Sequence, residues 1–190
     1  MTKTLYFIAG PNGAGKTTSS LEVLPSILEC EEFVNADEIA KGLSPFHPEA
    51  VAIEAGKLQL KQIESLLNQD KTFAIETTLA TRSYVSLVKK AKAKGYRVTI
   101  IFLALYSPKN AEARVQERVL NGGHNIPIDA IGRRFVKGLN NFFCLYKDLV
   151  DEWLIIDNTH APSIKIAEKR TGLETIFDEQ LYKHYREYAR

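Results

Sequence analysis

The sequence predicts a three-layer α/β sandwich, a mostly parallel sheet of about five strands flanked by helices. Three observations carry this. Short apolar runs alternate with helix-period segments along the chain. The runs at residues 5–9 and 98–105 lack polar alternation, as strands buried on both faces do. The first run also feeds a glycine-rich stretch, Gly10-Pro11-Asn12-Gly13-Ala14-Gly15-Lys16-Thr17, which fits G-x-x-x-x-G-K-[ST] and opens a helical segment. Strand, glycine loop and helix form the context in which that motif makes a phosphate-binding P-loop.

After the first strand, Thr18 to Leu24 reads as a helix, with Pro25 near its end. Residues 32–37 read as a second strand ending in Asp37, and the loop Ser44-Pro45-Phe46-His47-Pro48 follows. Residues 49–68 form a long helix, with Ile53, Gly56, Leu60, Ile63 and Leu67 on one buried face. Residues 72–76 are a third strand ending in Glu76, with Thr77 and Thr78 at its tip. The next helix buries Tyr84, Leu87, Val88 and Ala91. Its second half carries Lys89, Lys90, Lys92 and Lys94, read as a solvated end favoured by the helix dipole. Gly95 ends it. Ser107-Pro108 opens a helix after the central strand, and residues 121–127 form a hinge-like loop. A further helix presents Ile128, Ile131, Phe135, Leu139, Phe142 and Tyr146. Residues 153–157 are the last clear sheet strand, 164–168 a small strand of a hairpin, and 177–188 a terminal helix.

Length and composition bound the function. The 190 residues make one domain, 1–190, with ordinary hydrophobic and charged content of 45% and 25%. A net charge of +2 is too small to argue for nucleic acid or an anionic membrane surface as partner. Cys30 and Cys144 form neither a metal spacing nor a disulfide framework, which fits a reducing cytoplasm. The N-terminal apolar run leads straight into the glycine loop and does not read as a signal peptide. The longest apolar stretch is far short of the ~20 residues of a membrane helix.

The P-loop carries the chemistry. Its glycines let the backbone form a nest of N–H groups around phosphate oxygens, and the following helix adds its positive end. Residues Gly10 to Thr18 would bind ATP. Lys16 would reach the β- and γ-phosphates, and the Thr17 hydroxyl would hold Mg2+. Asp37 and Glu76 lie at strand ends on the ligand edge of such a sheet. Asp37 is read as the carboxylate that orients the acceptor hydroxyl, with helix capping as the alternative. Glu76 is read as a site acid, with a solvated strand end as the alternative. Arg114 and Arg118 share a helix face, and Arg133 and Arg134 follow across the Gly122-Gly123 hinge. The segment 109–137 therefore resembles a lid that excludes water and supplies positive charge, against the alternative of surface ion pairs with Glu112, Glu117 and Asp129. His124 either contacts substrate or caps the loop. Phe142, Phe143 and Tyr146 read as core.

The stretches Gly10 to Thr18, Asn35-Ala36-Asp37, Glu76-Thr77-Thr78-Leu79, the arginine helix, and residues 122–127 with Arg133-Arg134 together resemble the zeta-toxin family of P-loop kinases, its stand-alone branch in particular. The resemblance covers most of residues 1–160. It implies a small-molecule-kinase fold and ATP/Mg2+-dependent phosphorylation of a hydroxyl, with UDP-N-acetylglucosamine as the toxins' sugar-nucleotide substrate. It implies Lys16 and Thr17 on phosphates and Mg2+, and Asp37 as base. Glu76 and Thr78 would be at the acceptor or metal, and Arg118 with Arg133 or Arg134 would be on the transferring phosphate. It also implies an antitoxin protein as partner. The chain departs from the toxins after Asp37, where Glu38-Ile39-Ala40-Lys41 stands in place of an early arginine and His47-Pro48 comes late. The residues leave two other readings open: a nucleoside or polynucleotide kinase, and a nucleotide-dependent binding module with the lid as a switch. Residues 160–190, a hairpin and helix, have no assigned role.

Overall fold

The computed structural model describes residues 2–123 and 125–189. Its strands are β1 (Thr4–Ala9), β2 (Glu32–Val34), β3 (Phe73–Thr77), β4 (Arg97–Ala104), β5 (Glu152–Asp157), β6 (Ile164–Arg170) and β7 (Leu173–Ile176). They form a seven-stranded sheet in the order β2-β3-β1-β4-β5-β6-β7. The first five strands run parallel, and β6 and β7 are added antiparallel. The sheet is thus mostly parallel, but two strands larger than the sequence suggests. The C-terminal hairpin is a full continuation of it. A turn at Thr171 and Gly172, with φ of 52° and 84°, joins β6 to β7.

The helices are α1 (Lys16–Ser26), α2 (Ala36–Leu43), α3 (Ala52–Asn68), α4 (Tyr84–Ala93), α5 (Pro108–Leu120), α6 (Ile128–Asn141) and α7 (Glu179–Glu187). Successive side chains of a strand point to opposite faces, so each parallel strand feeds two cores. Ile8 and Ala74 pack with Leu24 and Cys30 around α1. Phe7, Ile75, Ile100 and Phe102 belong to the larger core on the other face, with Val88, Ile131, Phe135 and Leu139. There the aromatic cluster behaves as core: Phe142 is fully buried and meets Trp153 edge-on, with ring centroids 5.8 Å apart.

Three elements differ from the sequence reading. Strand β2 stops at Val34, because Asn35 turns the chain into α2. The buried face of α3 is Ala55, Gln59, Ile63, Leu66 and Leu67, while Ile53 and Leu60 are 78% and 59% exposed. The helix has rotated so that small and polar residues meet the neighbouring elements, with Gln59 accepting a long hydrogen bond from Tyr84 Oη. Beyond α6 the chain winds on through a wide π turn, Phe142–Tyr146. The α4 lysines do form a solvated end, with Lys90 on Glu64 at 2.7 Å and Lys92 on Asp151 at 2.8 Å.

Candidate functional site

The glycine loop links the tip of β1 to the start of α1 and is wedged between other backbones. Gly10 has φ of +143°, and a Cβ there would lie 2.2 Å from the Leu103 carbonyl oxygen of β4. Gly13 has φ of +78°, and its Cβ would meet Ala111 O and Arg114 Cβ of α5 at 3.0 and 3.1 Å. Only glycine lets the loop sit this tightly on β4 and α5. Pro11, Asn12 and Ala14 are buried with it, and Thr18 is exposed at the next turn.

Lys16 and Glu76 face each other inside this frame. The Lys16 ammonium donates to the Pro11 carbonyl at 2.9 Å and lies 3.8 Å from Glu76 Oε1. The two side chains are 7% and 10% exposed. Burial holds the Lys16 amine below the usual lysine range, against the pull of the Glu76 and Asp37 carboxylates. Burial likewise pushes Glu76 up, opposed by Lys16 and by its hydrogen bond from Thr17. Glu76 Oε2 accepts from Thr17 Oγ1 at 2.8 Å and from Asn35 Nδ2 at 2.7 Å. Glu76 is therefore a largely buried, hydrogen-bonded acid rather than a solvated strand end.

Asn35, whose role no sequence pattern gives, joins α2 to Glu76. Its Oδ1 accepts from Asp37 N at 2.8 Å and Glu38 N at 3.4 Å, capping α2, while its amide holds Glu76. Asp37 accordingly lies in the first turn of α2, not at a strand tip, and it does not cap the helix. Its exposed carboxylate lines a cleft of about 420 Å3 together with Lys16, Thr17, Glu76 and Arg118, and α2 contributes Glu38 and Lys41 to the same wall.

The arginines separate. Arg118 lines the cleft. Arg134 Nη1 donates to Asn12 Oδ1 of the glycine loop at 3.5 Å. Arg133 points to the exterior and pairs with Asp129 at 3.5 Å. Arg114 is committed to two carbonyls, Thr159 O at 2.9 Å and Gly13 O at 3.4 Å. Much of segment 109–137 is built into the body, with Ala111, Val115, Ile131 and Phe135 buried in the core. The part that borders the cleft is Arg114 and Arg118 of α5 and Gly123. Thr78 follows β3, and a Cβ on Gly138 of α6 would meet its carbonyl oxygen at 2.5 Å. Thr78 is not among the residues that line the cleft. His124 lies outside the described residues. Asn158, also unforeseen, donates from Nδ2 to Ala14 O at 2.8 Å and so props the glycine loop from the tip of β5.

The donor set suits a hard cation. Thr17 Oγ1 and a Glu76 carboxylate oxygen lie side by side, and Mg2+ is bound by one or two such oxygens plus phosphate and water. Among the described residues no helix is long and apolar enough to cross a membrane.

The family model described as Zeta toxin matches residues 1–180. An uncharacterized protein of Haemophilus influenzae is 27% identical over 135 residues, which are 71% of this chain and 94% of that protein. Among solved structures, the AvrRxo1-ORF1:-ORF2 complex with ATP matches with a TM-score of 0.79 at 18% identity over 96% of this chain. This chain spans 63% of the length of that one. A chain of the PezAT chromosomal toxin–antitoxin system of Streptococcus pneumoniae matches with a TM-score of 0.65 at 14% identity, over 98% of this chain and 86% of its own.

Proposed function

This chain belongs to the zeta toxin family. From that premise we propose that it is an ATP/Mg2+-dependent kinase moving the γ-phosphoryl group onto a hydroxyl of a small molecule. A UDP-amino sugar such as UDP-N-acetylglucosamine is the acceptor class to test first. The observation that carries this reading is one cleft holding Lys16, Thr17 and Glu76 on one side and the Asp37 carboxylate on α2. Its volume of about 420 Å3 falls in the small-molecule range of roughly 300–1,000 Å3. The ATP in the related AvrRxo1 complex and the antitoxin of the PezAT system support ATP as donor and an antitoxin protein as partner.

The residues divide the work. The loop from Gly10 to Thr18 binds the donor phosphates through its N–H groups, and Lys16 adds a buried positive charge on the β- and γ-phosphates. Thr17 and Glu76 would hold Mg2+, which neutralises charge on the phosphates. Asp37 orients the acceptor hydroxyl and takes its proton as the oxygen attacks the γ-phosphorus. The bond from that phosphorus to the β–γ bridging oxygen breaks, and ADP leaves. Arg118 and Arg134 meet the negative charge on the transferring group from the α5–α6 side. Arg133, held on the exterior by Asp129, takes no part.

The test is phosphate transfer from γ-labelled ATP by wild type and Asp37→Asn. The variant should retain ATP binding and lose transfer by about 10²- to 10⁴-fold. Undiminished transfer would remove Asp37 from the base role.

A further inference from the structure

The C-terminal region, which the proposed chemistry does not use, is tied to the glycine loop by a continuous chain of polar contacts, from 2.6 Å between Thr159 N and Asp157 to 3.4 Å between Arg114 and Gly13 O. Tyr185, fully buried on α7, donates from Oη to Asp157 Oδ2 at 2.8 Å. Asp157 Oδ1 accepts from Thr159 N at 2.6 Å. Thr159 Oγ1 accepts from Tyr106 N at 2.7 Å, which ties the ends of β4 and β5 together. The Thr159 carbonyl accepts from Arg114, whose other terminal nitrogen donates to Gly13 O. Between them Asn158 donates to Ala14 O, while its own Oδ1 accepts from Ser163 Oγ at 2.6 Å. Two consecutive residues after β5 thus control two consecutive carbonyls of the glycine loop, one directly and one through Arg114.

The consequence follows from peptide geometry. A trans peptide is planar, with its N–H antiparallel to its C=O. Pinning the Ala14 carbonyl toward Asn158 forces the Gly15 N–H the opposite way, away from β5. Pinning the Gly13 carbonyl fixes its own peptide unit, whose N–H, on Ala14, is turned inward to Pro11 O at 3.3 Å. A phosphate nest works only if its N–H vectors are set before the ligand arrives. Asp157 is 6% exposed and Thr159 is 8% exposed, so water does not substitute readily for a lost partner. Burial and the neighbouring Asp157 carboxylate push the Tyr185 phenol well above its ordinary range, so it remains a donor at every working pH.

We infer that Tyr185, Asp157, Asn158 and Thr159 are positioning residues for nucleotide binding, and that α7 sets the affinity of the glycine loop for ATP through them. The inference rests on the P-loop's holding ATP. It gives the C-terminal segment a function without placing it on the nucleotide or in a partner.

The experiment is calorimetric titration of MgATP into the full-length chain, with thermal unfolding alongside. Tyr185→Phe keeps the ring and removes one hydroxyl. It should raise the ATP Kd by about two- to ten-fold, the range of one buried hydrogen bond. Tyr182→Phe is the matched control. It lies on the same helix and is nearly as buried, but its hydroxyl meets Lys147 at 3.2 Å and not the strand tips. It should lower the unfolding temperature and leave the Kd alone. Ser163→Ala, exposed and so free of folding risk, should raise the Kd about two-fold by loosening Asn158. An unchanged Kd in Tyr185→Phe, or in Ser163→Ala if Tyr185→Phe does not fold, overturns the inference. Equal weakening by Tyr182→Phe also overturns it, since that would be general loosening of α7. Failure of the wild type to bind MgATP would instead remove the nucleotide reading beneath it.

Discussion

Removing the charge of Lys16 or Glu76 offers a quantitative test of the site's electrostatics. Their nearest atoms are 3.8 Å apart, and both side chains are at least nine-tenths buried. At that spacing two unit charges attract by about 4 kcal/mol at an effective dielectric of 20. Each charge also has other partners. Lys16 has the Pro11 carbonyl, and Glu76 has Thr17 and Asn35. Truncating one side therefore leaves the other partly satisfied, and a coupling of about 2 kcal/mol is expected in a double-mutant cycle. The assay is urea unfolding of wild type, Lys16→Met, Glu76→Gln and the double variant at neutral pH without ligand. Additivity within about 0.5 kcal/mol would refute the pairing. The same pair fixes a pH dependence. Burial already lowers the Lys16 pKa, and Glu76 opposes that shift. Glu76→Gln removes the larger part of the opposition, leaving only Asp37, so the amine loses its proton at a lower pH. Phosphate binding needs the charged amine, which exists below its pKa, so the alkaline limb of MgATP affinity should move to lower pH in Glu76→Gln. A limb that stays in place or moves upward contradicts the assignment.

Other consequences are equally concrete. Gly10→Ala would drive a Cβ to 2.2 Å from the Leu103 carbonyl oxygen at a φ of +143°, and should cost on the order of 3–5 kcal/mol in denaturant unfolding. Adjacent arginines should behave differently. Arg134→Ala, at the glycine loop, should lower kcat by about 10²- to 10³-fold, whereas Arg133→Ala, on the exterior with Asp129, should leave it within about two-fold. Gly138→Ala would bring a Cβ to 2.5 Å from Thr78 O, so α6 must move off the β3 tip, with a loss of about 1–3 kcal/mol in the same unfolding measurement.

What the sequence made legible follows from where the information is local. The P-loop could be read because its glycines answer to a backbone shape encoded within eight residues. Strand β1 and the end of β4 could be read because apolar runs buried on both faces need no partner pattern, whereas β5 alternates buried and half-buried residues. Strand β7, with Leu173 to Ile176 all exposed, has no such signature and exists because β6 offers it an edge. Asp37 reads as a strand tip because an acid after an apolar run resembles one, but it lies three residues beyond the end of β2, since Asn35 takes the cap and starts the helix earlier. The α3 face agrees with the sequence at Ile63 and Leu67 and departs from it in the first turns, where Ala55 and Gln59 are buried and the larger Ile53 and Leu60, which dominate any hydrophobic periodicity, are exposed. Asn158 and Thr159 carry no motif of their own, and Asn35, although within the Asn35-Ala36-Asp37 stretch, does not show there that its amide holds Glu76. Their roles lie in contacts with residues 41, 144 and 45 positions away, which appear only when the strand tips converge. The arginine pair was ambiguous for a similar reason. Neighbours on a helix differ by about 100° in direction, and only the tertiary position of α6 decides which one meets the glycine loop.

The kinase assignment is tested most directly by following label from γ-phosphate-labelled ATP with Mg2+ into a panel of UDP-sugars, nucleosides and oligonucleotides, with Lys16→Ala as the control. Transfer to a small-molecule hydroxyl is expected, a UDP-amino sugar first among those tried, with its loss in the control. ATP binding by the wild type with no labelled acceptor across the panel, or transfer that survives Lys16→Ala, would contradict it.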